Sequence, residues 1–540
     1  MKKLKIIFGF LLGLMLLNEA RADLWQVTQA WSPEMELKYQ DWLKTNAKID
    51  IFEKKTLADG ITPNPYYGLT TDCADTVYSL RVIFSYENGL PWAIRNPANP
   101  RKLITQAMKK YDKFPEGAER LKAFLTYLYD MVGTSSIAND TYPVSINNIH
   151  PGVILLTSKI NHHSWTIAEI DEKGNPRLIF NSTVGKASGP RLQQRRTWPN
   201  PFWVFQPEEK LSDPNDPNSS KILNPVYKAG SYAGFRYWVP VEKLLSDFKE
   251  LPEYSDDQYE LDLASWKMTI QKTYAKKAET LEEVIVRLLS DACDDIKQRI
   301  TAVKEADLYR SQLKEALLKQ TQLESLKKAL ETQDDLNGNS DSSSGNLSDG
   351  VKQSTIDDKT KNLIEILTEF QKAKNKPADE RCLIASKYDQ LSTPSRDRRL
   401  FDGIMVARAY YAYGVRTYGE KSFSKTRNTQ FKKIFTQPLR SAREESDLEN
   451  QGTALSKYSV CNVKIGSQTL DMAEIKRRIF KSYTSPNPNE DLIGRWGGRG
   501  SERSELAKSC DTYGETYDPY DLEKSESQAN DEVSSYIQHK

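Results

Sequence analysis

The sequence predicts an α+β N-terminal domain that is followed by a mainly α-helical C-terminal half. Apolar residues recur at helical spacing over 73–87 and 116–131, and three short β-prone runs follow within 153–180. Between Pro252 and Gly338 the chain contains neither proline nor glycine. Helices followed by antiparallel strands are typical of an α+β domain, and a long stretch without helix breakers favours helices.

The chain begins with a pattern that is typical of a secretory signal peptide. Three lysines lie within the first five residues, an apolar run covers 6–17, and Ala20-Arg21-Ala22 matches an A-x-A cleavage site. We therefore expect 1–22 to be a signal peptide and the protein to be exported, to the periplasm or out of the cell. No later stretch approaches the apolar length of a bilayer span, so we expect no integral membrane segment after cleavage.

The charge of the chain is balanced. The formal net charge of +2 becomes about −1 when 1–22 are removed, since that segment carries four cations and one anion. Proteins dedicated to nucleic acids or to membrane surfaces carry an excess of Lys and Arg. The sequence therefore predicts no nucleic-acid partner.

Cys73 is predicted to lie in the first turn of a helix. Thr71 and Asp72 are helix-capping residue types, and the pattern that follows ends at Asn88 and Gly89. Free backbone N–H groups and the positive end of the helix dipole favour a thiolate at this position. The sequence thus indicates a nucleophilic thiol.

The rest of the N-terminal domain is predicted over 23–250. A second helix covers 116–131 and ends before Gly133, and the runs 153–156, 164–170 and 176–180 predict strands, the last two of them joined as a hairpin. Aromatic runs at 197–205 and 227–245 either fill the core or line a groove for a sugar or a peptide.

Four further segments are predicted after residue 250. They are a charged helical arm over 251–334, a flexible Ser/Gly/Asn linker over 335–356, a helical domain over 357–540 and, within that domain, a polar tail from Thr516. The helical half is a candidate surface for a protein partner.

The chain has five cysteines, at positions 73, 293, 382, 461 and 510. An exported protein with an odd number of cysteines keeps one unpaired, and Cys73 stands alone in the N-terminal half. The pairing of the other four is open at this stage. No CxxC pair, metal-ligand cluster or phosphate-binding glycine loop occurs in the sequence, so we expect no metal and no cofactor.

The histidines restrict the choice of a general base. There are four, at positions 150, 162, 163 and 539, and the adjacent pair opens the predicted strand 164–170. Neighbouring residues of a strand point to opposite faces, so at most one of the pair can face Cys73. We favour His163, with His162 as the alternative. Asn181 follows the next strand and could orient the imidazole.

The order of these residues resembles that of the papain-like cysteine hydrolase superfamily. DCADTVYSLRVIFSYENGLPW and IHPGVILLT are similar to motifs of NlpC-type cell-wall peptidases, and HSWTIAEIDEKGNPRLIFNST is similar to the transglutaminase-like pattern, with Asn181 where those proteins carry Asp. The resemblance implies Cys73 as nucleophile, with its backbone N–H in the oxyanion hole, His163 as base and Asn181 as orienting residue. Candidate binding residues are Tyr66 and Tyr67, just upstream of the nucleophile, and Trp165.

This resemblance implies an exported cysteine hydrolase with a papain-like N-terminal domain. The expected reaction is cleavage of amide bonds in peptidoglycan stem peptides through an acyl-enzyme. Two alternatives remain: a transglutaminase-like protease that acts on proteins, and a non-catalytic envelope protein that binds a peptide or glycan and serves as a scaffold.

Overall fold

The structure is a computed structural model, and it divides into two compact units. Among the described residues, the first unit comprises 23–279 together with 535–539, and the second unit runs from Thr280 to Ser534. The predicted signal peptide and most of the predicted linker lie outside the described residues. The structure describes residues 23–158, 162–181, 190–205, 232–251, 253–261, 263, 265–338, 357–373, 394–435, 461–480, 483–485, 490–502 and 522–539.

The first unit is built around a six-stranded antiparallel sheet, which confirms the α+β class. Its strand order is β3-β8-β4-β5-β6-β7, and a separate hairpin is formed by β1 and β2. The strands are β1 (Ala93–Asn96), β2 (Asn99–Thr105), β3 (Thr141–Pro143), β4 (Ile154–Leu156), β5 (Ser164–Ile170), β6 (Pro176–Phe180), β7 (Gln193–Arg195) and β8 (Gly234–Trp238).

Helices precede, connect and follow these strands. They are α1 (Pro33–Asn46), α2 (Cys73–Glu87), α3 (Ala118–Met131), α4 (Thr134–Asp140), α5 (Pro201–Val204) and α6 (Trp266–Tyr274). The two predicted helices are confirmed as α2 and α3, and the predicted strands as β4, β5 and β6. The predicted hairpin is confirmed too, since β5 and β6 pair antiparallel.

The central helix of the first unit is α2. Every residue from Cys73 to Ser85 is buried, so the helix is covered on all sides. Arg81 reaches from α2 to Glu36 of α1 with two hydrogen bonds, of 2.9 and 2.7 Å, and its guanidinium stacks 3.5 Å above the ring of Trp31. A buried cation with a bidentate carboxylate partner and an aromatic face fixes one helix against the other.

The end of α2 depends on a glycine in the left-handed region. Gly89 has φ +56°, and a Cβ at this position would lie 2.3 Å from Thr28 Oγ1. The N–H of Leu90 closes the helix on Ser85 O at 2.9 Å. Only glycine fits both the backbone conformation and the close approach of the N-terminal segment.

The aromatic runs of the first unit form part of its core. Strand β8 lies inside the sheet between β3 and β4, and Phe235 stacks on Trp266 of α6 with ring centroids 5.4 Å apart. Trp198 is also buried, and its indole N–H donates to Gly174 O at 3.0 Å. Because α6 completes this core, the first unit extends to Glu279 and not to residue 250 as predicted.

The second unit is mainly helical. Its helices are α7 (Leu281–Leu318), α8 (Gln320–Gly338), α9 (Asp358–Ala373), α10 (Pro394–Tyr418), α11 (Lys425–Phe435), α12 (Met472–Phe480), α13 (Leu492–Arg495) and α14 (Leu522–His539). The predicted charged arm is helical, but it is not an isolated arm. Leu313 of α7 and Leu323 of α8 pack with Leu363 and Leu367 of α9 in one buried cluster.

Two features of the second unit were not predicted. A hairpin of β9 (Asn462–Ile465) and β10 (Gln468–Asp471) precedes α12, and a disulfide joins Cys293 of α7 to Cys461 at the start of the hairpin. The predicted polar tail contains α14, whose Ala529 and Val533 are buried.

Candidate active site

Cys73 is the first residue of α2, as the capping pattern predicts. The Asp72 side chain accepts the N–H of Asp75 at 2.8 Å, and the Asp75 side chain accepts the N–H of Asp72 at 3.0 Å. This reciprocal pair satisfies two backbone donors at the helix start. It holds Cys73 at a defined point of the first turn, where the side chain is 8% exposed.

The sulfur of Cys73 lies against the start of β5. Its Sγ donates to the carbonyl oxygen of His162 at 3.7 Å. Ser164, two residues further along, also approaches the sulfur, and its hydroxyl and backbone act to lower the pKa of the thiol. The end of β4 holds this segment in place, since the N–H of His163 donates to Thr157 Oγ1 at 2.8 Å and Thr157 N donates to His163 O at 2.9 Å. The histidine-bearing segment therefore lies across from Cys73.

The imidazole of His163 is packed among aromatic rings. Its ring centroid lies 4.5 Å from that of Trp165, 5.3 Å from Phe180 and 5.7 Å from Trp203. Residues 163 and 165 share one face of β5, and Ser164 points to the other, where it meets Cys73. The structure thus brings the backbone of His163 near the thiol and directs its ring to the aromatic face. The role of His163 as a base stays a prediction.

His162 differs from His163 in both exposure and backbone conformation. Its side chain is exposed, and its φ of +43° is the one positive φ of a non-glycine residue in the described part of the chain. A β-strand cannot start in this conformation, so His162 lies in the turn before β5. This turn directs its carbonyl oxygen to Cys73.

Asn181 follows β6 at the same end of the sheet and is fully buried. Thr166 pairs with Ile179, so an extension of this register sets Asn181 opposite Ser164. Gln193 of β7 donates to Asn181 Oδ1 at 3.4 Å. Strand pairing thus brings Asn181 to the end of the sheet where Cys73 lies. Its orienting role stays a prediction.

The environment of Cys73 favours the thiol over the thiolate. Burial, and next to it the negative charge of Asp72, raise the pKa of Cys73 to about 12, and the hydrogen bonds from Ser164 offset part of this effect. The lowered pKa that we expected from the helix N-terminus is therefore not observed. Desolvation outweighs the helix dipole here, since a dipole contributes only ~1 kcal/mol.

The carboxyl pair beside Cys73 is itself perturbed. Burial raises the pKa of Asp72, and burial together with the charge of Asp72 raises the pKa of Asp75. One oxygen of Asp75 is buried without a hydrogen-bond partner in the described part of the structure. The first turn of α2 therefore favours a single negative charge over two.

The three candidate binding residues lie in different places. Tyr66 is buried and donates to Glu87 Oε1 at 2.7 Å, which sets its hydroxyl at the far end of α2 from Cys73. Tyr67 is 40% exposed, and its carbonyl accepts from Lys122. Trp165 is buried beneath the His163 ring. A contact with substrate is open to Tyr67 by its exposure and stays a prediction for all three.

Ser164 is the residue at this site that our sequence analysis missed. The alternation rule that was applied to the two histidines also covers the next residue of the strand. Once the His162 carbonyl faces Cys73 from the turn, the first strand residue that can present a side chain to the sulfur is Ser164. Strand alternation could therefore have identified Ser164, but only titratable side chains were considered as partners of the thiol.

The described residues show neither a metal-ligand cluster nor a membrane-spanning helix. No group of three or more His, Cys, Asp or Glu side chains is arranged there to hold a metal ion. None of the helices in the described ranges combines the length and the apolar character that crossing a bilayer requires.

Comparisons with protein-family models, with curated proteins and with solved structures found no match to this chain.

Proposed function

We propose that this protein is an exported cysteine hydrolase with a papain-like N-terminal domain, which cleaves amide bonds in peptidoglycan stem peptides. One observation carries the proposal. Cys73, at the start of a buried helix, contacts the segment that leads into β5 of the antiparallel sheet. The contacting residue, His162, is 89 positions further along the chain. The backbone of the two histidines and, by strand register, Asn181 lie at the same end of the sheet as this contact.

The proposed reaction begins with attack of Cys73 Sγ on the carbonyl carbon of an amide bond. The thiol proton passes to an imidazole, the carbonyl oxygen becomes an oxyanion near the Cys73 N–H, and the C–N bond breaks as the imidazolium protonates the leaving amine. Water then attacks the thioester, the imidazole takes its proton, and the carboxylic acid product leaves with the thiol restored. Each proton is returned, so no further reactant is needed.

The raised pKa of Cys73 makes the base essential to this mechanism. A thiol with a pKa of about 12 is almost fully protonated at neutral pH, so its proton must leave as the S–C bond forms. His163 is the proposed base. His162 is the alternative, with a side chain already in solvent.

The substrate class follows from the resemblance and from the predicted signal peptide. NlpC-type peptidases, which residues 72–92 resemble, act on cell-wall peptides, and an exported protein meets that polymer. A protein substrate is the rival within the same chemistry.

The test is digestion of purified peptidoglycan by the mature protein beside Cys73→Ala, with soluble fragments identified by mass spectrometry. Asp112→Asn, an exposed substitution, serves as a folded control with an intact thiol. We expect new amine termini in stem peptides with the wild type and Asp112→Asn, and none with Cys73→Ala. Equal release by wild type and Cys73→Ala, or none by either, would exclude this activity. Release from a denatured protein substrate alone would favour the protease.

A second candidate function is supported by the burial of the thiol. A Cys73 that is 8% exposed and donates to a backbone carbonyl is also what a structural thiol looks like. In that case the first unit binds cell-wall peptide without cleaving it. Co-sedimentation of the wild type with insoluble peptidoglycan, with no fragment release, would identify this function.

A further inference from the structure

Ser164 is a buried hydroxyl in a place where a hydroxyl is costly. It is the first residue of β5, it is fully buried, and it pairs with Leu156 in the neighbouring strand. Its Oγ has no hydrogen-bond partner of regular geometry among the described residues. A buried hydroxyl without such a partner costs about 1–3 kcal/mol, so its presence needs a specific explanation.

The sulfur of Cys73 is close enough to this hydroxyl for Ser164 to lower the pKa of the thiol. The side chains of β5 alternate, so Ser164 faces α2 while the rings of His163 and Trp165 face the aromatic cluster. The carbonyl of His162 approaches the same sulfur from the turn before β5 and can only accept a hydrogen bond. Ser164 can thus donate a hydrogen bond to the sulfur, whereas the His162 carbonyl can only accept one from it.

These two neighbours stabilise opposite protonation states. A carbonyl oxygen favours the thiol, because it takes the S–H hydrogen, and it repels a thiolate. A hydroxyl that donates to sulfur favours the thiolate, and hydrogen bonds to a charged group are about twice as strong as those between neutral groups. Burial and the charge of Asp72 both disfavour a thiolate at Cys73. A hydroxyl that donates to the sulfur would offset part of this effect.

We propose that Ser164 is a positioning residue of the proposed hydrolase. Its hydroxyl holds the sulfur of Cys73 at the start of β5 and donates to it as the S–H proton leaves. This inference rests on the proposed function, since it assigns Ser164 a role in forming the nucleophile. No covalent step passes through Ser164. The thiol proton goes to the imidazole base, and the serine keeps its own hydrogen.

The test measures the rate at which iodoacetamide alkylates Cys73 between pH 7 and pH 10, read for this residue by peptide mass spectrometry. We compare the wild type with Ser164→Ala. The matched control is Thr166→Val, since Thr166 lies on the same face of β5, is equally buried, and its Oγ1 also lacks a partner among the described residues.

We expect alkylation of Ser164→Ala to be about tenfold slower at each pH. The variant should therefore need a pH about one unit higher to reach the same rate as the wild type. Thr166→Val should stay within about twofold of the wild type, because its hydroxyl is one residue pair away from the sulfur. A rate for Ser164→Ala equal to or above the wild-type rate would overturn the inference, as would an equal loss in both variants.

A second pair of variants covers the case in which Ser164→Ala does not fold. Ser164→Thr and Ser164→Val have the same shape and differ in the hydroxyl alone. Faster alkylation of Ser164→Thr than of Ser164→Val supports the inference, and equal rates reject it. Neither measurement uses peptidoglycan. If the protein does not cleave the polymer but shows this contrast, the proposed function is rejected and the hydrogen bond from Ser164 to Cys73 is supported.

Discussion

Cys73 Sγ lies 3.7 Å from the carbonyl oxygen of His162, and this contact joins the start of α2 to the turn before β5. In this contact Cys73 is a thiol that donates its hydrogen to a backbone carbonyl oxygen. A hydrolase built on this geometry must break that hydrogen bond in every catalytic cycle. The charges and side chains around the contact therefore make predictions that can be measured without a known substrate.

The first prediction concerns Asp72. Asp72→Asn removes the negative charge beside Cys73 and keeps an oxygen that can cap α2. The pKa of Cys73 should fall, because the charge of Asp72 is one of the two causes that raise it. We expect iodoacetamide to alkylate Cys73 roughly three- to tenfold faster at pH 8. Asp112→Asn, an exposed substitution in the same unit, should leave the rate unchanged.

The second prediction separates the two histidines. His163→Phe retains a ring that can pack against Trp165 and Phe180 but cannot take a proton. We expect hydrolysis to fall at least about a hundredfold with little change in thermal stability, since general-base catalysis contributes ~10²–10⁴-fold. The measurement is fragment release from peptidoglycan, beside His162→Ala. Loss of activity in His162→Ala and not in His163→Phe would transfer the base role to His162.

The third prediction concerns Asp140 at the end of α4. This buried carboxyl accepts the hydroxyl of Tyr78 at 2.7 Å and the N–H of Arg95 at 2.8 Å, and it thereby links α2 to β1. Burial raises the pKa of Asp140 to about 7, and the two hydrogen bonds and the charge of Arg95 only partly oppose this.

The folded state therefore binds the Asp140 proton more tightly than the unfolded state. This contribution to stability is fully present below about pH 4 and is lost as the pH rises through about 7. Asp140→Asn has no proton to lose, so it should reduce the difference in unfolding free energy between pH 5 and pH 8 by about 1–3 kcal/mol. Urea unfolding at the two pH values measures this, and an unchanged difference would contradict it.

The fourth prediction concerns the disulfide between Cys293 and Cys461. It closes a loop over a sequence separation of 168 residues, and chain-entropy arguments assign about 5 kcal/mol to loops of this order. Cys293→Ser with Cys461→Ser should lower the melting temperature of the second unit. Cys73→Ala changes a cysteine of the first unit and should leave that transition in place. Scanning calorimetry follows both, and equal transitions in all three proteins would argue against the bond.

Local pattern predicted the elements that carry the site. The cap at Asp72, the first turn at Cys73, the end at Gly89 and the strand 164–170 were all placed by residue type and spacing. These features depend on backbone geometry over a few residues, which sequence records directly. The inclusion of α6 in the first unit and the hairpin β9–β10 were missed, because both depend on contacts between distant segments.

Residue order was thus sufficient to predict an α+β unit, an unpaired cysteine at a helix start and a histidine-bearing strand as its partner. The tertiary structure alone decided what surrounds the sulfur. Burial and the charge of Asp72 reverse the expected pKa shift, and the pleat of β5 presents Ser164 where a histidine was expected. Desolvation and the direction of a side chain are properties of the packed molecule, since both depend on which groups converge from distant parts of the chain.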